Sequence, residues 1–316
     1  ELFICTDASA GENIWKGQLG STVEPVTWYG GRGIVFGGTS NNDTIQYAAI
    51  DTLGNFTDFG NLTTNGGDGG GCSNGTRGVF IGGRSTHDAT IDYITIASLG
   101  NAVDFGDCTS SGLPTSCSDG TRGIKSGGGA YLNLIEYITI ATLGNTTDFG
   151  DLVGDVGLIG QGSCNSDTRG VYMGGEYAGD TKVDTIQYIT MATPGDATDF
   201  GNMTVSKAYG CGTASAAGRG LYFGGTTGSF INVIDYITIA SLGNATDFGN
   251  LTGVDAWGAA NSNGTRGLEG GGYQPPPLDT GRTQVDYVTI ASLGNATEFG
   301  DLTHSAYRQA GEVSGD

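Results

Sequence analysis

The chain has 316 residues, 60 of them glycine and 6 proline, and carries a formal charge of −20. The absence of a Gly-X-Y period excludes collagen, and a hydrophobic content of 37% with 14 Tyr and 12 Phe is too rich for a disordered chain. So acidic a sequence lacks the clustered Lys and Arg that phosphate needs, which argues against nucleic acid and anionic membrane surfaces as partners, and no apolar run approaches the roughly 18 residues of a spanning helix.

The opening ELFICTDASAGENIWKGQL has neither an initiator Met nor a signal-peptide pattern. It reads as a β-hairpin, and residues 1–28 are expected to form a connector toward something upstream. From residue 29 to 316 three marks recur in fixed order. An Arg-Gly pair opens an apolar run ending in Gly-Gly, at Arg32, Arg77, Arg122, Arg169, Arg219 and Arg266. A tyrosine follows an apolar and a polar residue, at Tyr47, Tyr93, Tyr137, Tyr188, Tyr236 and Tyr287. The phenylalanine of a D/E-F-G triplet completes the unit, at Phe59, Phe105, Phe149, Phe200, Phe248 and Phe299. Successive arginines lie 45, 45, 47, 50 and 47 residues apart. A period in the forties with several short alternating runs per unit is the signature of an all-β β-propeller.

Each unit is expected to supply a four-stranded antiparallel blade. Strand a is the small-residue stretch before T-R-G, as in WGAANSNG; strand b is RGVFIGG, strand c IDYITIAS and strand d NATDFGDL. Tyr and Phe, at fixed places, would fill the wedge between blades. The L-G-N after strand c predicts a tight c–d hairpin, since Gly and Asn tolerate positive φ. The C-terminal THSAYRQAGEVSGD reads as a strand a without its T-R-G. Pairing with strand b of the first unit would close six blades without an open edge. A seventh, composite blade using the N-terminal hairpin is the rival reading.

Loop lengths divide the two faces of such a fold. Tyr to Phe, across the c–d turn, is 12 residues in every unit, whereas Arg to Tyr, across the b–c loop, is 15, 16, 15, 19, 17 and 21. The b–c sequences diverge as well: NNDT, STHDAT, AYLNL, EYAGDTKVDT, TTGSFINV and YQPPPLDTGRTQ. Variable loops on a rigid scaffold commonly bind, and Tyr131, Tyr177, Phe230 and Tyr273 are the candidate ligand-binding residues there. Relaxed drift of unconstrained loops is the bland alternative.

Other motifs favour structure over chemistry. Six of the nine Arg belong to the Arg-Gly marks. Each is expected to fork onto a carboxylate of the D/E-F-G series, Asp58, Asp104, Asp148, Asp199, Asp247 or Glu298. Cys72, Cys117 and Cys164 each precede an Arg by five residues, which reads as a small buried position; a Cys108–Cys117 bridge stays open on cysteine arithmetic alone. With two histidines, His87 and His304, no CxxC and no D-x-D-x-D-G loop, no metal or other cofactor is expected. Neither a G-x-S-x-G elbow nor a singled-out acid is present, so the sequence points away from an enzyme. Repeated N-x-T triplets are turn and strand residues before they are glycosylation acceptors.

The RGVFIGG…IDYITIAS arrangement, over roughly residues 30 to 302, resembles the Kelch-like repeat, with the Phe of D-F-G where that repeat carries a later tryptophan. A radical oxidase built on that scaffold would need tyrosine and histidine ligands that two isolated histidines do not supply. The wording RGVFIGG, IDYITIASLGNATDFGNL and LFICTDASAGENIW is similar, over almost the whole chain, to repeat-rich virion structural proteins of marine tailed phages, particularly cyanophages. That resemblance implies a tail-fibre-like appendage exposed on the virion. It further implies attachment to a host cell-surface glycan or outer-membrane protein, other virion proteins as partners, and self-association through an upstream stalk.

Overall fold

The computed structural model describes residues 3–7, 14–17, 22–23, 30–38, 42–83, 89–109, 112–129, 131–154, 158–214, 218–278, 280–307 and 310–315. Among them every regular element is a β-strand. Phe3–Asp7, Ile14–Gly17 and Thr22–Val23 pair with one another as a three-stranded sheet.

The repeats follow as antiparallel sheets in the order a-b-c-d. Unit two is Gly70–Ser73, Arg77–Ile81, Thr90–Thr95 and Val103–Asp107. Unit three is Thr115–Ser118, Arg122–Ser126, Leu134–Thr139 and Thr147–Asp151. Unit four is Gly162–Asn165, Arg169–Met173, Thr185–Thr190 and Thr198–Asn202, with a small ribbon, Glu176–Tyr177 against Thr181–Lys182, raised from its b–c loop. In unit one Arg32–Phe36, Thr44–Ala49 and Thr57–Asn61 are joined on the strand-a side by Ala310–Gly315 from the far end of the chain.

Units five and six depart from the four-stranded pattern. Cys211–Ala214, Arg219–Phe223 and Ile231–Thr238 are followed by one 17-residue strand, Thr246–Ser262, and then by Arg266–Gln274, Thr280–Thr289 and Thr297–Ala306. The long strand is the d strand of unit five in its first part and the a strand of unit six in its second, so the two sheets merge into one of seven strands.

Burial follows from where each strand lies. Strand b is buried at every residue after its Arg, as expected of a strand covered on both faces. Strand d buries only its Phe. Each Phe meets the Tyr of its own unit edge-to-face, with ring centroids 5.8–6.2 Å apart, the geometry that sets a positive ring edge on a negative face.

Neighbouring units are joined by the same contacts each time. The L-G-N segment does not make a tight hairpin. It forms a wider loop whose backbone reaches the d strand of the preceding unit: Gly100 N–H donates to Phe59 O and Ala102 N–H to Asn61 O, at 2.9 and 2.8 Å, and the pattern recurs through Gly294 and Ala296 onto Phe248 and Asn250. The Asn side chain adds an acceptor, Asn101 Oδ1 taking the Asn61 N–H at 3.1 Å, with Asn145, Asp196, Asn244, Asn295 and Asn55 in the same role. The Gly of D/E-F-G lets this happen. A Cβ on Gly60, Gly106, Gly150, Gly201, Gly249 or Gly300 would stand less than 3 Å from the backbone of the approaching loop glycine.

The arginines correct another expectation. Each guanidinium lies over the tyrosine of its own unit, 4.3–5.1 Å from the ring centre. Its Nη1 donates to a carbonyl of the next unit, on Ile96, Ile140, Met191, Ile239, Ile290 or Ile50, at 2.6–2.8 Å. The acids expected as partners, Asp58 to Glu298, are exposed on strand d.

Strand c contributes a third tie. Buried Gln46, Asp92, Glu136, Gln187, Asp235 and Asp286 accept from Thr303, Thr63, Thr109, Val153, Thr204 and Thr252 at the end of the preceding unit's d strand, at 2.6–3.1 Å. All three kinds of contact also run from unit six to unit one. The sulfurs of Cys72, Cys117 and Cys164 are buried against Gly123, Gly170 and Gly220, the glycine after Arg in the next unit. Cys108 and Cys117 are both buried and are not bridged to each other.

Candidate functional site

The a strands of units two to six converge on a central cavity of about 90 Å³, lined by residues 68–71, 113–116, 160–163, 209–212 and 257–260. That is room for several waters. One equivalent residue from each unit forms a collar at its mouth: Asp68, Leu113, Gly160, Tyr209 and Trp257, all left-handed with φ between 57° and 64°. Backbone hydrogen bonds link them in series. Leu113 N–H donates to Asp68 O, Gly160 to Leu113, Tyr209 to Gly160 and Trp257 to Tyr209, at 2.6–3.3 Å. Of these five only unit four uses glycine, and each side chain elsewhere costs roughly 1–2 kcal/mol of left-handed strain.

Beside the collar lies an arc of five half-buried aromatic rings. Tyr209 touches Trp257, Trp257 touches Phe230 and Tyr273, Phe230 touches Tyr273, and Tyr273 touches Tyr307, with centroids 4.9–6.1 Å apart. The Tyr209 ring also covers Gly160, where a side chain would collide with it, and its hydroxyl donates to Glu176 Oε1 at 2.9 Å. Burial first, and then Glu176, hold that hydroxyl above the ordinary tyrosine range. Lys182 bridges Glu176 and Asp180 at 3.2 and 2.6 Å, so the small ribbon of unit four braces one end of the arc.

Beneath the other end sits a buried charge cluster. Arg282 pairs with Asp255 and, at 3.4 Å, with Asp286; Glu269 faces them and is 1% exposed. With three acids against one cation, burial dominates. It pushes Asp255 up to about 7 against the pull of Arg282, and burial with the neighbouring Asp255 charge raises Glu269 well above the carboxylate range. The strands carrying Asp255 and Glu269 pair Ala256 with Tyr273, which places the cluster in the same hairpin as two rings of the arc.

Of the four residues singled out in the sequence, Phe230 and Tyr273 are in the arc. Tyr177 instead packs against a core cluster with Leu158 and Tyr172, and Tyr131 stands outside the arc's ring contacts at φ 59°. Tyr209, Trp257 and Tyr307 escaped sequence reading: Tyr209 and Tyr307 lie in d–a connections and Trp257 within the long strand Thr246–Ser262, all in stretches that small residues otherwise define. The signal was an aromatic directly before Gly ahead of strand a, in Tyr209-Gly210 and Trp257-Gly258.

His304 shares hydrogen bonds with Asn42 and Thr303, and burial lowers its pKa; His87 lies outside the described residues. Among those residues no group of three or more His, Cys, Asp or Glu is arranged to hold a metal ion, and no helix is long and apolar enough to cross a membrane. No protein-family model matches the chain, and a search of curated proteins returns no match.

Proposed function

We propose that the six units form a closed β-propeller and that the chain is a virion appendage protein of the tail-fibre kind, attaching to a host surface component through its b–c and d–a loops. The aromatic arc carries this reading. Five rings gather on the face where loop length varies, Tyr209, Phe230 and Tyr307 from loops and Trp257 and Tyr273 from one pair of strands. The opposite c–d turns repeat one set of inter-unit contacts six times. Half-buried aromatics held rigid by their neighbours offer contact area at small entropic cost. The contacts from unit six back to unit one repeat those between the other neighbours, and Ala310–Gly315 covers the strand-b edge of unit one, which together support closure.

The test is adsorption of the purified chain to a panel of marine cyanobacterial strains, beside Phe230→Ala and Tyr273→Ala. Saturable adsorption weakened at least tenfold by either substitution is expected. Absence of adsorption across the panel by the folded chain refutes the reading.

A second reading, an assembly joint or spacer within a virion, is favoured by a different observation. The c–d turns present Leu53, Leu99, Leu143, Leu242 and Leu293, each 56–60% exposed. If that face docks onto another virion chain, serine at these positions abolishes incorporation and leaves adsorption of the isolated chain intact.

A further inference from the structure

We propose that Lys207 and Asp235 join as an isopeptide bond, formed by the folded chain itself, that staples the connection entering unit five to strand c of that unit. The inference is independent of the attachment reading.

Lys125 and Lys207 are each fully buried, and each meets a buried strand-c carboxylate. Lys125 Nζ lies 3.0 Å from Glu136 Oε2, and Lys207 Nζ 3.2 Å from Asp235 Oδ2. The two pairs differ in chemistry. Lys125 makes an aligned hydrogen bond to Glu136 and reaches Gly127 O at 3.3 Å. Against burial, the Thr109 bond, the Lys125 charge and the Thr146 hydroxyl hold Glu136 below the ordinary carboxylate range. It stays an anion, which resists attack by an amine. In the second pair Oδ2 is in contact with the nitrogen but out of hydrogen-bond alignment. Burial lowers the pKa of the Lys207 amine against the pull of the Asp235 and Asp247 charges, which favours the neutral, nucleophilic form.

The surroundings hold both partners for reaction. Lys207 is fixed through its main chain, its N–H donating to Val183 O and its carbonyl accepting from Gly175 N–H, at 3.1 and 3.0 Å. The Tyr222 ring covers its nitrogen, 4.7 Å from the ring centre. The Thr204 hydroxyl donates to Asp235 Oδ1 at 2.6 Å, the oxygen on which negative charge develops once nitrogen adds to Cγ. The step balances within the pair. One proton passes from the ammonium to Oδ2, and the freed lone pair forms the N–Cγ bond. A second proton follows from nitrogen to Oδ2, the Cγ–Oδ2 bond breaks, and water leaves. One ammonium and one carboxylate become one amide and one water, with no co-reactant consumed. Holding the groups in contact supplies an effective concentration of about 10⁵ M or more, and burial keeps out the water that would reverse the step.

Intact-mass spectrometry of the full chain, with digestion and sequencing of the peptides carrying Lys207 and Asp235, tests this. A chain lighter than its sequence by one water is expected, with both residues in one branched peptide and no cleavage after Lys207 by a lysine-specific protease. Lys207→Met should have its full sequence mass; if that variant fails to fold, the wild-type mass and peptide map still decide. Thr204→Val keeps both reacting groups and should lose water at least tenfold more slowly after refolding. A folded wild-type chain that keeps its full mass on prolonged incubation overturns the proposal. So does a lost water that maps elsewhere, Lys125 and Glu136 included. Loss of water at the wild-type rate in Thr204→Val overturns the route through Oδ1.

Discussion

Replacing Gly249 with alanine probes the contact on which the repeat depends. Gly249 sits at φ 151°, and a Cβ there would stand less than 3 Å from the carbonyl of Gly294. The left-handed conformation alone costs an L-residue about 1–3 kcal/mol. Moving the loop away also breaks Gly294 N–H to Phe248 O, Ala296 N–H to Asn250 O and Asn250 N–H to Asn295 Oδ1, bonds of 3.0, 2.8 and 3.0 Å. These hydrogen bonds contribute about 1 kcal/mol each. The loss should reach about 4–6 kcal/mol, a large share of a typical domain's stability. Two companions separate the causes. Gly294→Ala has the positive φ of 156° but open space around it, and Gly195→Ala has open space without the positive φ. Urea denaturation should place the first at about 1–3 kcal/mol of loss and the second between neutral and about 1 kcal/mol of gain. Hydrogen exchange should show the Gly294 and Ala296 amides opening only in Gly249→Ala. If Gly249→Ala unfolds at the same urea concentration as Gly195→Ala, the close approach of the two glycines is not what fits the units together.

Arg266→Met removes the bond to Ile50 O and the stack on Tyr287. A loss of about 2–3 kcal/mol in chemical denaturation is expected, and a change under about 0.5 kcal/mol would contradict the role given to these arginines. Glu269 and Asp255 bind protons more tightly folded than unfolded, so stability falls as pH rises from the free-carboxylate range through about 7. The slope is at most about 1.4 kcal/mol per pH unit for each group. Glu269→Gln should flatten the decline and be the more stable protein at pH 8; parallel stability curves would refute the buried cluster's part in it. Burial pushes the Cys108 thiol up to about 11, so iodoacetamide at pH 8 should leave it unlabelled in native protein and label it fully in urea, read by mass spectrometry.

The period, the strand order and the Tyr–Phe wedge were legible because each rests on a local pattern: alternation, a glycine pair, an aromatic at constant spacing. What the repeat does between units was not. L-G-N looks like a turn because Gly and Asn serve turns, but here the Asn oxygen and the glycine backbone serve the neighbouring unit, and no single-unit argument reveals a partner some 40 residues away. The Arg–carboxylate expectation failed likewise. Equal numbers of opposite charges say nothing of geometry, and a carbonyl, invisible in composition, was the acceptor. In the site, Phe230 and Tyr273 were found because b–c loops vary in length. Trp257 was overlooked inside WGAANSNG, where its small neighbours defined the strand and its left-handed backbone left no mark.

The ties between units use main-chain atoms, one arginine, two side-chain oxygens that recur in every unit, and glycine against glycine. Almost nothing in them depends on which unit stands next door. A unit lifted from one place and set in another would find the same sockets waiting, and its long or short b–c loop would travel with it. Near-identical stretches of sequence invite such exchange during copying. The monotony of the scaffold thus makes the chain a rack of interchangeable cartridges, able to trade one set of loops for another in a single genetic step.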